Sequence, residues 1–310
     1  MVEIISYLLF LFVFISFTIF VMSMLKSDTY VWFDGEMKKF GECSVSLTTH
    51  ALHYATSIFE GCRAYNGTIF KNKEHCQRLI NSGKMVDVEV PYSVEELMQA
   101  SNEVLKANNL TDAYVRPVAW KGDETLGVES DGCKTHVAIM AWYWGNYFGE
   151  DKINGGLKLT HADWVRPDPR SCAVQAKVAG NYYLGAVMHN KANKGHYDDV
   201  LLVDWRGYVA ECTSCNVFFI KDKKVYTPIA DCFLNGITRQ TIINEVCKKM
   251  GLEVEETRIK PEYLGEFDEA FISGTAAEVM PIGKIYDTFT YKPDLCLKIR
   301  DEYLKLVKGL

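Results

Sequence analysis

The polar, glycine-containing stretch "GNYFGEDKINGG", residues 145–156, restricts the fold of this chain more than any other feature. It interrupts a pattern of apolar, β-rich runs, and "DAYVRPVAW" and "KTHVAIMAWYW" are the two that precede it. A chain broken in this way builds two cores. With 310 residues it has the length for one large or two medium domains. The expected division is a small α/β domain over residues 26–148, a linker over 149–156 and a large domain over 157–310.

Local signals fill in both halves. "YVWFDGEMKKF" and "CRAYNGTIF" read as strand pairs around Asp34-Gly35 and Asn66-Gly67 turns. "NKEHCQRLINSGKMV" has helical spacing with Leu79 and Ile80 inward, and Ser93 with Glu96 forms a capping box for a helix to about Lys106. "RPDPR" is excluded from helix by its two prolines. A helix is expected from Gly180 to about Lys194. "DVLLVDWRGYVAE" and "NVFFIKDKKVYTP" are hairpin-like, and "GITRQTIINEVCKKMG" is an amphipathic helix ending at Gly251. A last helix covers about Asp294 to Val307. The pattern is mixed α+β, with no regular βαβ alternation and no GxGxxG loop.

Composition narrows the function. The chain is 48% hydrophobic and 24% charged, with a net charge of −6, so it lacks the basic footprint of a nucleic-acid binder. Ten irregularly spaced cysteines point to reduced thiols in a cytosol. Cys212 and Cys215 form a lone CxxC, which is weak support for a metal or redox role. His50 and His53 could share a helix face but lack a third ligand, so no metal site is expected. The first residues differ from the rest. The apolar run from Ile4 to Leu25 would span about 33 Å as a helix at ~1.5 Å per residue. It reads either as a membrane anchor, with Lys26 keeping the rest of the chain in the cytoplasm, or as upstream sequence from a misassigned start before Met24.

One lysine stands out. Lys177 sits among Val, Ala and Gly in "VQAKVAGNYY". A lysine there either runs its stem along a surface or is desolvated enough to attack carbonyl carbons. Beyond it, Glu211 ends a strand, and "LNGITR" places Gly236, Ile237 and Thr238 at a helix start whose free N–H groups suit an anion. "SGTAAE" supplies a second Gly-Thr turn.

The spacing of Glu211, Thr213, Asn216, Val217, Phe218, Val225, Thr227, Leu234, Gly236, Ile237 and Arg239 resembles the signature of class IV pyridoxal-phosphate aminotransferases. "HALHYATSIFEG", "EHCQRL", "AYVRP", "AKVAGNYY", "NGITRQ" and "SGTAAE" resemble, in order, blocks of the branched-chain amino acid aminotransferases. The likeness runs from about Tyr30 to the C-terminus and leaves the apolar run as an addition. Two positions depart from it: Val178-Ala179 stands where many relatives have Ala and Gly, and Cys215 where an acidic residue is common.

The resemblance implies a two-domain α+β enzyme of fold type IV, like D-amino acid aminotransferase, with pyridoxal 5′-phosphate as cofactor. It implies that Lys177 holds the cofactor and acts as general base and acid. Glu211 would pair with the pyridine nitrogen and Tyr182 with the phenolic oxygen, while Tyr183 reads as packing. Arg78 would take the phosphate with two parallel bonds, completed by the Ile237 and Thr238 backbone and by Thr275. Tyr54, Phe59 and Tyr114 would line the pocket for an aliphatic side chain, and Arg116 would meet the side-chain carboxylate of glutamate or 2-oxoglutarate. The Thr275–Ala276 turn would hold the α-carboxylate; Arg63 is left unassigned. The implied reaction is transfer of the amino group of L-leucine, L-isoleucine or L-valine to 2-oxoglutarate, in a cytoplasmic homodimer or assembly of dimers. An aminodeoxychorismate lyase or a D-amino acid aminotransferase of the same fold is the alternative.

Overall fold

The computed structural model describes residues 25–145 and 149–310. The apolar run expected to be an anchor or a misassigned start lies, apart from Leu25, outside the described residues. Among the described residues no helix is long and apolar enough to cross a membrane.

The first half builds an antiparallel sheet of seven strands. They are β1 (Tyr30–Phe33), β2 (Glu36–Lys39), β3 (Ser57–Phe59), β4 (Cys62–Tyr65), β5 (Thr68–Ile69), β6 (Ala113–Lys121) and β7 (Thr135–Tyr143). The order is β2-β1-β7-β6-β4-β5, with β3 also on β6. The two hairpin turns form as the sequence dictates: Asp34-Gly35 and Asn66-Gly67 all take positive φ, the geometry of a two-residue hairpin turn. Three helices accompany this sheet: α1 (His50–Tyr54), α2 (Asn72–Met85) and α3 (Val94–Ala107). The capping box of α3 is made both ways, Glu96 N–H to Ser93 Oγ at 3.2 Å and Ser93 N–H to Glu96 Oε2 at 2.7 Å. Leu79 of α2 and Leu97 and Val104 of α3 bury completely against Ile58, Val115 and Val137 of the sheet.

A short helix, α4 (Glu150–Gly155), occupies most of the expected linker. The second half holds nine strands: β8 (Leu157–His161), β9 (Asp199–Val203), β10 (Val209–Glu211), β11 (Asn216–Lys221), β12 (Lys224–Pro228), β13 (Val254–Thr257), β14 (Glu269–Gly274), β15 (Glu278–Ile285) and β16 (Phe289–Thr290). β10 pairs with both β9 and β11, so β10, β9, β8, β15, β14 and β11 close into a ring. The β8–β9 and β8–β15 pairs are parallel. The β8–β9 connection therefore crosses over, and it carries α5 (Tyr183–Lys194). Helix α6 begins as Ile237–Thr241 and widens into a π turn over Ile242–Cys247, and α7 (Leu295–Lys308) closes the chain.

Strand β11 shows why its residues run apolar without alternation. Val217 and Phe219 join one core with Leu157, Ile272 and Ile282. Phe218 and Ile220 face the other way, into a core with Phe271, Val246 of α6 and Ile299 of α7. A strand covered on both faces has no polar side to display. One end of the ring is set by the register. Glu211 pairs with Asn216, Asn216 with Ser273, and Gly274 with Glu278, so four strand ends meet at one mouth.

Candidate functional site

The segment carrying Lys177 spans the two halves. Its carbonyl accepts the Phe59 N–H at 3.1 Å, its N–H donates to Ser82 Oγ at 2.9 Å, and Val178 bridges to Ile58. The first half thus fixes the backbone while the side chain reaches the mouth of the ring. Lys177 Nζ lies 2.5 Å from Tyr182 Oη and 4.7 Å from the centre of the Phe59 ring. Tyr182 ends a short 3₁₀ turn, Ala179–Tyr182, that leads into α5. Tyr183, expected to pack, is exposed beside Trp164, because the turn from 3₁₀ to α aims it outward.

Glu211 is buried at the mouth. Arg166 Nη2 approaches its Oε1 to 2.9 Å, and Asn216 Nδ2 lies 3.4 Å from Oε2. Burial pushes its carboxyl up to about 7, against the opposing pull of Arg166 and Lys177. Arg166 belongs to the "RPDPR" loop, which reads in the sequence as irregular connection, so nothing there marked it as a partner for Glu211.

Arg78 lies on α2, where a fully buried Glu60 takes two of its nitrogens: Nε to Oε1 at 2.6 Å and Nη2 to Oε2 at 2.9 Å. His75 Nδ1 adds 2.6 Å to the same carboxylate. Burial opposes the charge on Glu60, but Arg78 and His75 outweigh it and hold the carboxyl well below the ordinary range. The side-on pairing edge of Arg78, expected for a phosphate, is therefore taken by Glu60. What it offers is Nη1, which is buried and has no partner among the described residues.

Nη1 is not alone. Ser273 Oγ is buried without a partner among the described residues and lines the same cavity, as do Ile237, Thr238 and Thr275. The start of α6 is shaped for close approach. Gly236 donates to Asn216 Oδ1 at 3.2 Å, and a Cβ on Gly236 would stand 2.4 Å from that oxygen. A cavity lined by Lys177, Tyr182 and Glu211, with unpartnered donors at one end, fits a flat, polar group bearing a phosphate. The Ser273 hydroxyl carries no signal of its own in the sequence.

This cavity shares Lys177, Tyr182, Ser214, Gly274 and Thr275 with a second one of about 370 Å³. The second is lined by Phe59, Tyr114, Arg116, Trp142, Trp144 and the Thr275–Ala277 turn. Arg116 stands over the rings of Phe59 and Tyr114, and its Nη2 donates to Tyr114 Oη at 3.1 Å. Trp142 and Trp144 belong to the apolar, β-rich run "KTHVAIMAWYW"; Trp142, near the end of β7, and Trp144, just past it, both line the cavity.

Two residues fall elsewhere. Tyr54, expected in the pocket, sits on α1 with its hydroxyl donating to Leu126 O at 3.0 Å, and it does not line the cavity. Arg63 is buried to the side, where Nη2 donates to Trp144 O at 3.1 Å and Nη1 lies 3.5 Å from Glu278. Cys212 and Cys215 are buried, and burial pushes the Cys215 thiol up to about 12, which leaves it protonated and a poor nucleophile.

The profile of the family described as "Amino-transferase class IV" matches residues 57–285. A probable branched-chain-amino-acid aminotransferase of Rickettsia felis is 44% identical, covering 85% of this chain and 90% of its own. The crystal structure of the Escherichia coli branched-chain amino acid aminotransferase superposes with a TM-score of 0.87 at 36% identity, over 92% of this chain and 96% of that one. The enzyme of that name from Thermobaculum terrenum, solved in its PLP form, gives 0.82 at 28% identity, over 91% and 95%. A match across most of the length, in sequence and in fold, leaves one conclusion: the chain belongs to the class IV aminotransferases.

Proposed function

We propose that this enzyme transfers the amino group of L-leucine, L-isoleucine or L-valine to 2-oxoglutarate, using pyridoxal 5′-phosphate and releasing the branched 2-oxo acid and L-glutamate. The observation that carries this reading is the junction of the two cavities. A polar one with unpartnered donors opens, at Lys177 and Tyr182, into an aromatic one that holds a single arginine.

When bound, the cofactor supplies an electron sink for the substrate. The chain supplies the rest. Lys177 is the amine that holds the cofactor, and its Nζ takes the proton from the substrate Cα and gives it up again. Tyr182 Oη, 2.5 Å away, fixes the direction of that amine. Glu211 holds the pyridine nitrogen, and Arg166 favours its charged form. Arg78 Nη1, the Ile237 and Thr238 N–H groups, Thr275 and Ser273 Oγ receive the phosphate. Phe59 and Tyr114 keep water from an aliphatic side chain, Arg116 meets the distal carboxylate of glutamate, and the Thr275–Ala276 backbone takes the α-carboxylate.

Support for a dimer comes from an apolar patch beside the first sheet, where Leu47 is 86% and Val128 80% exposed. A second copy of this chain covers it, and Tyr54, on the same patch, serves a pocket only across that interface. We place this catalytic portion in the cytoplasm, with residues 26–148 and 157–310 as its two domains.

The test is the absorption spectrum of the purified, cofactor-loaded protein before and after L-leucine without an oxo acid. The visible band should bleach with one equivalent of 4-methyl-2-oxopentanoate formed, and 2-oxoglutarate should restore it. Bleaching by D-alanine but not by L-leucine would place the enzyme with the D-amino acid aminotransferases instead.

A further inference from the structure

Trp142 has no part in the chemistry assigned to its neighbours, yet it lines the aromatic cavity and packs against both Tyr114 and Trp144. The β6–β7 register sets it directly opposite Tyr114, with Arg116 opposite Met140. Trp142 and Arg116 are therefore diagonal neighbours on one sheet face, about 7–8 Å apart at the backbone and within reach of long side chains. Both line the same cavity. Both also carry a buried donor with no partner among the described residues: the indole Nε1 of Trp142 and the Nε of Arg116.

A buried donor without an acceptor is costly, and an orphan of this kind in a ligand cavity calls for a ligand acceptor. Two such donors on one wall match a carboxylate, which has two oxygens and several lone-pair directions. We infer that Trp142 determines specificity for the acidic substrate: its indole N–H is the second donor, beside Arg116, for the side-chain carboxylate of glutamate and 2-oxoglutarate. This rests on the aminotransferase reading of the cavity.

The same residue serves the aliphatic substrate with different atoms. Its ring packs 5.1 Å from Tyr114 and completes an apolar wall. The indole N–H is already buried, so an aliphatic side chain neither gains nor loses through it. The N–H thus acts on one half-reaction and the ring on both.

The test compares Trp142→Phe with the wild type as holoenzymes. A hydrogen bond to a charged group is worth about 1.5–3 kcal/mol, on the order of tenfold or more in affinity. Trp142→Phe should raise the KM for 2-oxoglutarate and the Kd of glutarate, a dicarboxylate without an amino group, by about tenfold. KM for L-leucine and Kd for 4-methylpentanoate should stay within about threefold. A benzothienylalanine at position 142, with sulfur in place of N–H, should repeat the effect without altering the wall. Equal losses for both ligand types in that analogue, or no loss for either, overturn the assignment. If the wild type itself binds neither glutarate nor 4-methylpentanoate, the reading of the cavity fails before that of Trp142.

Discussion

Glu211 shows how much of this site is set by partners rather than by the residue itself. An isolated buried carboxyl would be neutral at pH 7; here burial raises it from 4.5 only to about 7, because Arg166 and Lys177 face it. An acid raised in this way favours the folded state while protonated. That contribution is present in full below 4.5 and is lost as the pH rises through about 7. In cofactor-free protein, wild type should therefore lose stability relative to Glu211→Gln, on the order of 3 kcal/mol, between pH 4.5 and 7.5. Urea unfolding of both proteins across that range checks it, and a constant difference between them would remove Glu211 as the cause. Glu60 carries the opposite case. Arg78 and His75 hold it charged despite complete burial, and the pairing takes Nε and Nη2 of Arg78 and leaves the buried Nη1 without a partner among the described residues. Lys177, Glu211 and Arg78 are legible in the sequence because each sits in a distinctive block. Arg166 and Ser273 are not, since each matters only through a neighbour that the folded chain brings to it.

At the scale of elements, the start of α6 is the most constrained junction. Gly236 precedes the helix with φ −61°, a backbone that any residue could adopt, so the requirement is space and not conformation. An alanine Cβ would stand 2.4 Å from Asn216 Oδ1, the oxygen that accepts the Gly236 N–H, and the two cannot coexist without movement. Asn216 also donates to Leu234 O at 3.0 Å and pairs with Ser273, so displacing it disturbs the strand ends around the cavity. Gly236→Ala should cost about 1–3 kcal/mol of stability and weaken pyridoxal phosphate binding about tenfold, read by thermal melts and by titrating cofactor into the apo protein. Unchanged cofactor affinity would mean that Asn216 yields freely. Elements with a local cause were legible: the Asp34-Gly35 and Asn66-Gly67 turns need positive φ, and the α3 capping box closes within four residues. What local patterns do not carry is the closure of the ring, because the parallel β8–β9 and β8–β15 pairings join segments distant in sequence. The same holds for Trp142 and Trp144, whose apolar character fits a core as well as a cavity wall.

For the whole molecule, α1 and the loops before it and after β6 present Leu47, Leu52, Leu126 and Val128 to solvent. These loops are built, not loose. Buried His50 contacts Thr56 Oγ1 at 2.8 Å and donates to Gly127 O at 3.0 Å, and His53 donates to Leu47 O at 3.0 Å. Holding apolar side chains outward on a braced surface costs solubility unless another surface covers them. A two-fold contact between identical patches is the simplest cover and gives a closed dimer. It also gives Tyr54 a role that a single chain denies it, since the patch that carries this tyrosine would face the partner. A charge placed there must be desolvated on association and finds no partner in an apolar contact. The double variant Leu47→Asp, Val128→Asp should raise the dimer dissociation constant at least about a hundredfold, while the melting temperature of the monomer changes little because both side chains are exposed. Sedimentation velocity at micromolar concentration separates the outcomes. A dimeric wild type with a monomeric variant, impaired in leucine transamination but still able to bind pyridoxal phosphate, ties the substrate pocket to the interface. A wild type that is monomeric and fully active removes both the interface and the role of Tyr54.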